Sequence, residues 1–146
     1  MKRHDVFESV WPIVLALLGA GIGVFGTGCN APGPAFYPVE PTAQGSVVYI
    51  YRPDGPGMHV PIKVSLDGRD IGVLKNKGYV FESVAPGEHT VTASAGSVQR
   101  CTVSALPGKS HYVEVKLHAG ALGGLGVIEL PELQALGRLQ LTRLSD

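Results

Sequence analysis

From Val60 to Leu117 the chain alternates apolar and polar residues with period two, and turn signals cut that alternation every eight to twelve residues. Val60, Ile62, Val64 and Leu66 alternate with Pro61, Lys63 and Ser65. A segment of this kind buries one face and wets the other, which is the pattern of a strand and not of a helix. Asp67-Gly68 follows at once, a tight hairpin signal that needs positive φ. Gly72 and Gly87 are assigned to the same turn chemistry. Ile71 to Leu74, Tyr79 to Val84, His89 to Ala95, Val98 to Val103 and Tyr112 to Leu117 read as further strands. Lys75-Asn76-Lys77-Gly78, Pro86-Gly87 and Pro107-Gly108 separate them. With the β-rich Val47 to Tyr51 this makes about seven short strands, the signature of an all-β sandwich. The expected fold is a small antiparallel β-sandwich, Ig- or prealbumin-like, over residues 46–146.

The tail adds a short helix. Pro131 at its first position, Glu132 near its start and Gly137 at its end mark one turn or more. Val127 to Leu130 reads as a strand before it. Leu139, Leu141 and Leu144 close the core as a last strand or a continued helix.

The front of the chain has a different grammar. A basic start (Met1-Lys2-Arg3-His4) precedes eighteen uncharged residues from Trp11 to Gly28. Ile13 to Leu18 is the most apolar part, and small residues follow, as in a secretory signal peptide. Gly21-x-Gly23-x-x-Gly26 has the spacing of a dinucleotide-binding loop, but that loop needs a strand before it and a helix after it. Here it lies in an export segment and runs into Pro32, Pro34, Pro38 and Pro41, which exclude the helix. Thr27-Gly28-Cys29 resembles the end of a bacterial lipobox, although Gly26 stands where that pattern carries Leu or another aliphatic residue. The resemblance implies a lipoprotein signal peptide over 1–28 and a covalent lipid on Cys29, each buried CH₂ adding about 0.8 kcal/mol of membrane affinity. An uncleaved single-pass inner-membrane anchor is the alternative. Residues 29–45 read as a lipidated, Pro-rich tether that stays extended; Phe36 and Tyr37 are its candidates for docking on the domain.

Composition excludes some functions. The formal net charge is zero and 16% of residues are charged. The isoelectric point is near 7.0, without the basic character of a nucleic-acid binder. There is no G-x-S-x-G elbow. Asp67 and Asp70 share a turn, where no burial separates their pKa values as an acid–base pair requires. His89 and His111 both begin strands and face the core. They are the candidate metal ligands, but two ligands do not close a site, so each is expected as a hydrogen-bonded histidine. Cys101, on the strand face of Val103, reads as a small buried residue. Tyr49, Tyr51, Tyr79 and Tyr112 serve as β-formers, with a binding patch on a sheet face as the alternative.

Several segments together resemble a known family. "YIYRP" (Tyr49 to Pro53), "VSLDGRDIGVLKNKGYVFESVAPGEHTV" (Val64 to Val91) and "SHYVEVKL" (Ser110 to Leu117) are similar, in the same order, to the bacterial lipoprotein domain of unknown function 2846. The hairpin with Pro86-Gly87 and His89 also resembles PEGA domains. The resemblance covers about residues 46–143 and implies an exported β-sandwich with no established catalytic residues. The function expected is therefore a non-enzymatic envelope module, lipid-anchored through Cys29 and meeting an envelope protein. It would face the periplasm from the outer membrane if the cell is Gram-negative. A small-ligand or metal-binding exported protein using His89 and His111 or surface tyrosines is the alternative.

Overall fold

Ser46–Arg52, strand β1, is buried along its whole length. That explains why its sequence, SVVYIYR, does not alternate: both faces are covered, as in the central strand of a layered sheet. The computed structural model describes residues 29–120 and 124–145; the expected signal segment, 1–28, lies outside the described residues. Eight further strands follow β1: β2 (Ile62–Leu66), β3 (Arg69–Leu74), β4 (Gly78–Val84), β5 (Gly87–Ser94), β6 (Val98–Ala105), β7 (Ser110–Leu117), β8 (Leu125–Leu130) and β9 (Arg143–Leu144). One helix, α1 (Glu132–Leu139), lies between β8 and β9. The expected sandwich is present. The two strands beyond the expected seven, β8 and β9, both come from the tail.

The sheets have the orders β8-β7-β1-β4-β9 and β3-β2-β5-β6. Most pairings are antiparallel, but β1 pairs with β7 and β4 with β9 in parallel. A parallel partner must arrive by a long crossover. Here β2 to β6 intervene between β1 and β7; β2, β3, β5 and β6 lie in the other sheet, and β4 returns to the first. Between the sheets lies an aliphatic core: Val48, Ile50, Val80, Val113 and Val115 face Ile62, Val64, Leu66, Val91, Ala93 and Val103.

A second core occupies the outer face of the five-stranded sheet. Tyr49, Tyr51, Tyr79 and Tyr112 pack there with Val47, Ala135 and Leu139, flanked by Phe36, Phe81 and Leu136. All four tyrosines are at most 3% exposed, so the surface patch considered from sequence is instead a covered aromatic layer. Helix α1 supplies part of the cover. It continues two residues past Gly137, where the sequence suggests its end, because Leu139 seats in the aromatic layer. Eight residues are too few for a stable isolated helix, so tertiary packing decides its length.

The stretch from Asn30 supplies the rest. The amides of Ala31, Gly33 and Phe36 donate to the carbonyls of Asn76, Leu144 and Thr142, and the amide of Leu144 donates to Pro34. The Phe36 ring lies edge-on to Tyr49 and Tyr79 at 5.4 and 5.3 Å. The amide of Val39 donates to the Tyr49 hydroxyl at 2.6 Å. Over residues 30–39 the Pro-rich segment is therefore a strap bonded to the domain, not a free extended tether. Of its two aromatic residues, Phe36 docks and Tyr37 stays 78% exposed.

Candidate functional site

The turn and histidine positions singled out from sequence hold the sandwich together. Asp67 (φ 51°) and Gly68 (φ 80°) both adopt positive φ, as the expected hairpin between β2 and β3 requires. Gly72, with φ 150°, is not in a turn. It lies within β3 beside a shift in the β2–β3 register, a bulge of the kind glycine permits. Pro86-Gly87 is not a hairpin either, since β4 and β5 belong to different sheets; it is the corner where the chain changes sheet. His89 ties the corner to the hairpin, its Nδ1 lying 2.7 Å from Asp67 Oδ2 and its Nε2 2.8 Å from the Ala85 carbonyl. Both partners are acceptors, so the ring donates to both when it is protonated. The bond to Asp67 raises the imidazole pKa against a smaller opposing effect of burial. The same bond, with that from the Thr90 amide, lowers the Asp67 carboxyl.

His111 is different. The Leu106 amide donates to its Nε2 at 3.0 Å, so its proton sits on Nδ1, facing Glu129 at 3.0 Å. The two histidines share no partner: His89 bonds to Asp67 and Ala85 and His111 to Leu106 and Glu129, so both nitrogens of each ring are engaged. Among the described residues no group of three or more His, Cys, Asp or Glu side chains is placed to hold a metal. Cys101 lies on the face of Val103 but is only half-buried. Cys29 is also half-buried, with its Sγ 2.8 Å from His59 Nδ1. Both cysteines are free.

The chemically distinctive cluster is one that the sequence reading did not select. On the outer face of the five-stranded sheet, the register sets Tyr79, Tyr51, Glu114 and Ile128 in one row. Glu114 is the charge in that row, and its side chain is 2% exposed. A buried carboxylate needs partners, and it has three. The Tyr51 hydroxyl donates at 3.0 Å, Lys116 Nζ lies at 2.6 Å, and Arg138 of α1 donates to the same oxygen as Tyr51. Burial pushes the Glu114 carboxyl up, but the bonds from Lys116, Arg138 and Tyr51 together leave it below the usual range. Burial, then the charge of Glu114, pushes the Tyr51 hydroxyl above its ordinary value. Glu114 is thus held as an anion with its acceptors filled, which suits a structural counter-ion and not a proton donor.

Above it opens a cleft of about 530 Å³, bordered by Asp54, Lys77, Lys116, Arg138, Leu141 and Thr142. Lys77 pairs with Asp54 at 3.1 Å. Lys116 and Arg138 share the single charge of Glu114, so among the described residues three cations meet two anions. The charged lining of the cleft is predominantly cationic. It joins the strap through Asn76, whose amide donates to both Asn30 (3.0 Å) and Asp54 (2.8 Å). Beside it Arg52, 1% exposed, donates to the carbonyls of Pro56, Gly57 and Val60 and fixes the β1–β2 loop. The available sequence signal was Tyr112-x-Glu114-x-Lys116, which looks like the wet face of a strand until α1 covers it.

A family model described as "Protein of unknown function (DUF2846)" matches residues 42–125. No curated protein matches the chain, and no solved structure does. The matched segment runs from just before β1 to the first residue of β8; Asp54, Lys77, Glu114 and Lys116 fall inside it, and Arg138 and the whole strap outside. It covers more than half of the sequence, and the chain belongs to the DUF2846 family.

Proposed function

We propose that the chain is a membrane-anchored envelope lipoprotein whose β-sandwich serves as a non-enzymatic binding or structural module. The observation that carries this is the position of Cys29. The sequence before it has the order of a lipoprotein signal, and Asn30 already pairs with Asn76 of the domain. Cleavage before Cys29 would leave the cysteine as a half-buried N-terminus. Acyl chains there anchor firmly, because two or more chains hold a protein on a bilayer where one does not. Asn30, in place of Asp after the cysteine, favours the outer membrane of a Gram-negative cell. Filled acceptors on Glu114 and doubly bonded rings at His89 and His111 give these groups structural work. The direct test is metabolic labelling with palmitate. Label is expected in the intact protein and absent from Cys29→Ala; label that persists in Cys29→Ala refutes the lipid anchor.

A further inference from the structure

The strap decides how an anchored domain would stand on its membrane. A free Pro-rich segment of residues 30–45 would span about 50 Å at roughly 3.1 Å per residue and let the domain tumble. Here Asn30 and Ala31 are already bonded to Asn76, so the anchoring residue lies against the domain. The end of the sandwich beside Cys29 is the end where β1, β3 and β7 finish and β2, β4 and β9 begin.

That end is chemically distinct. Among the described residues Lys63, Lys77, Lys116, Arg138 and Arg143 lie there against Asp54 and the buried Glu114. At the opposite end Asp67, Asp70, Glu88 and Glu132 outnumber Arg69 and Lys109. Among the described residues the zero net charge of the chain thus conceals a polarised distribution, positive where Cys29 is. The same end exposes apolar side chains. Met58 and Val60 are 44% and 42% exposed on the loop that Arg52 holds, and Leu141 is 76% exposed at the border of the cationic cleft. Cations interleaved with exposed apolar side chains are what a protein presents to an anionic bilayer surface.

We propose that the Cys29 end of the sandwich is a membrane-contacting face, and that the cleft between Lys77, Lys116 and Arg138 receives the phosphate of an anionic phospholipid headgroup. The proposal rests on the lipid-anchor reading above and adds to it an orientation and a ligand. The cleft has the size of ordinary small-molecule sites, its cations are 40–44% exposed, and its predominantly cationic lining matches a phosphodiester. Met58, Val60 and Leu141 would enter the interface around it.

The test uses unacylated protein from Cys29 to Asp146, which carries both sheets, the helix and the strap. Co-sedimentation is measured with vesicles of phosphatidylcholine alone and of phosphatidylcholine mixed equally with phosphatidylglycerol. Binding is expected to the mixed vesicles only and to weaken as salt rises. Lys77→Gln and Lys116→Gln should each weaken it about fivefold, the effect of one cation near an anionic surface; Lys109→Gln, at the far end, should leave it unchanged. Lys77 does not touch Glu114, so its variant keeps the test valid if Lys116→Gln disturbs the fold. Equal binding to both vesicle types, or equal loss in Lys109→Gln, overturns the proposal. So does binding of glycerol phosphate in solution without binding to vesicles, which would assign the cleft to a free phosphate. None of these outcomes alters the palmitate labelling of the intact chain, so failure here is distinguishable from failure of the anchor.

Discussion

Replacing Phe36 with Ala tests whether the segment after Cys29 is a strap. The ring is half-buried and meets Tyr49 and Tyr79 edge-on, with interplanar angles of 74° and 79°. Full burial of such a side chain stabilises by about 1.5–3 kcal/mol, so half of that applies. Each edge-to-face pair adds about 0.5–1.5 kcal/mol. The substitution should therefore cost the docked strap at least about 2 kcal/mol, which is roughly thirtyfold in its open population. The cost is local, because the aliphatic core between the sheets contains no strap residue. Hydrogen exchange reads this directly. The amides of Ala31, Gly33, Phe36 and Leu144, which join the strap to the β3–β4 connection and the tail, should exchange about thirtyfold faster. Amides of the β5–β6 pair should keep their protection. Tyr37→Ala, next in sequence but exposed, should change neither group. Unchanged exchange at Ala31 and Gly33 would show that Phe36 does not pin the strap. Equal acceleration in β5 and β6 would show that strap and sandwich open as one unit, and either result removes the argument for a separately docked strap.

Two further perturbations test the hairpin and a crowded turn. Asp67→Asn keeps the acceptor for the Thr90 amide and suits a residue at φ 51°, but removes the charge facing His89. Because the folded His89 pKa is raised, its contribution is full below about pH 6.5 and is lost as pH rises through its folded value. Because the Asp67 pKa is lowered, its contribution is full above about pH 3.9 and is lost as pH falls through its folded value. Denaturant titrations should therefore show a deficit of about 0.2–1 kcal/mol in Asp67→Asn near pH 5.5, discounted for a half-exposed partner, that shrinks by pH 8.5. An equal deficit at both pH values would mean that the pair carries no charge. Gly78→Ala puts a Cβ against Ser145 Oγ and 2.8 Å from the Lys75 carbonyl, an overpacking worth about 1–3 kcal/mol; a variant with the parent's melting temperature would contradict that crowding.

The alternation of β2 and β5 was legible because one face of each meets solvent and the other the core. The β1 run was legible as a strand but not as a central one, since a sequence with both faces covered carries no period that says so. Gly72 and Pro86-Gly87 misled in a single way. Glycine and proline mark a departure from regular backbone, but a bulge, a change of sheet and a hairpin all begin with that departure. Gly137 did not end the helix for a related reason: local propensity gave way to the seat of Leu139 and the bond from Arg138 to Glu114.

The cleft was hidden for a different reason. Its parts come from Asp54 and Lys77 in connections, Lys116 in β7, and Arg138 to Thr142 in the tail, and no spacing rule joins them. Glu114 gives the general case. On a strand that alternates with valines, a glutamate reads as solvent-facing, and only the third layer makes it a buried anion that needs Tyr51, Lys116 and Arg138. That third layer is built from the two segments hardest to interpret in sequence, a Pro-rich stretch and a Gly-interrupted helix. Because neither has a core of its own, their conformation is set by the tyrosine face they cover. The strap end of that cover places Cys29, and the helix end places Arg138, so the layer that completes the fold also brings the anchor candidate and the cationic cleft to the same end of the molecule.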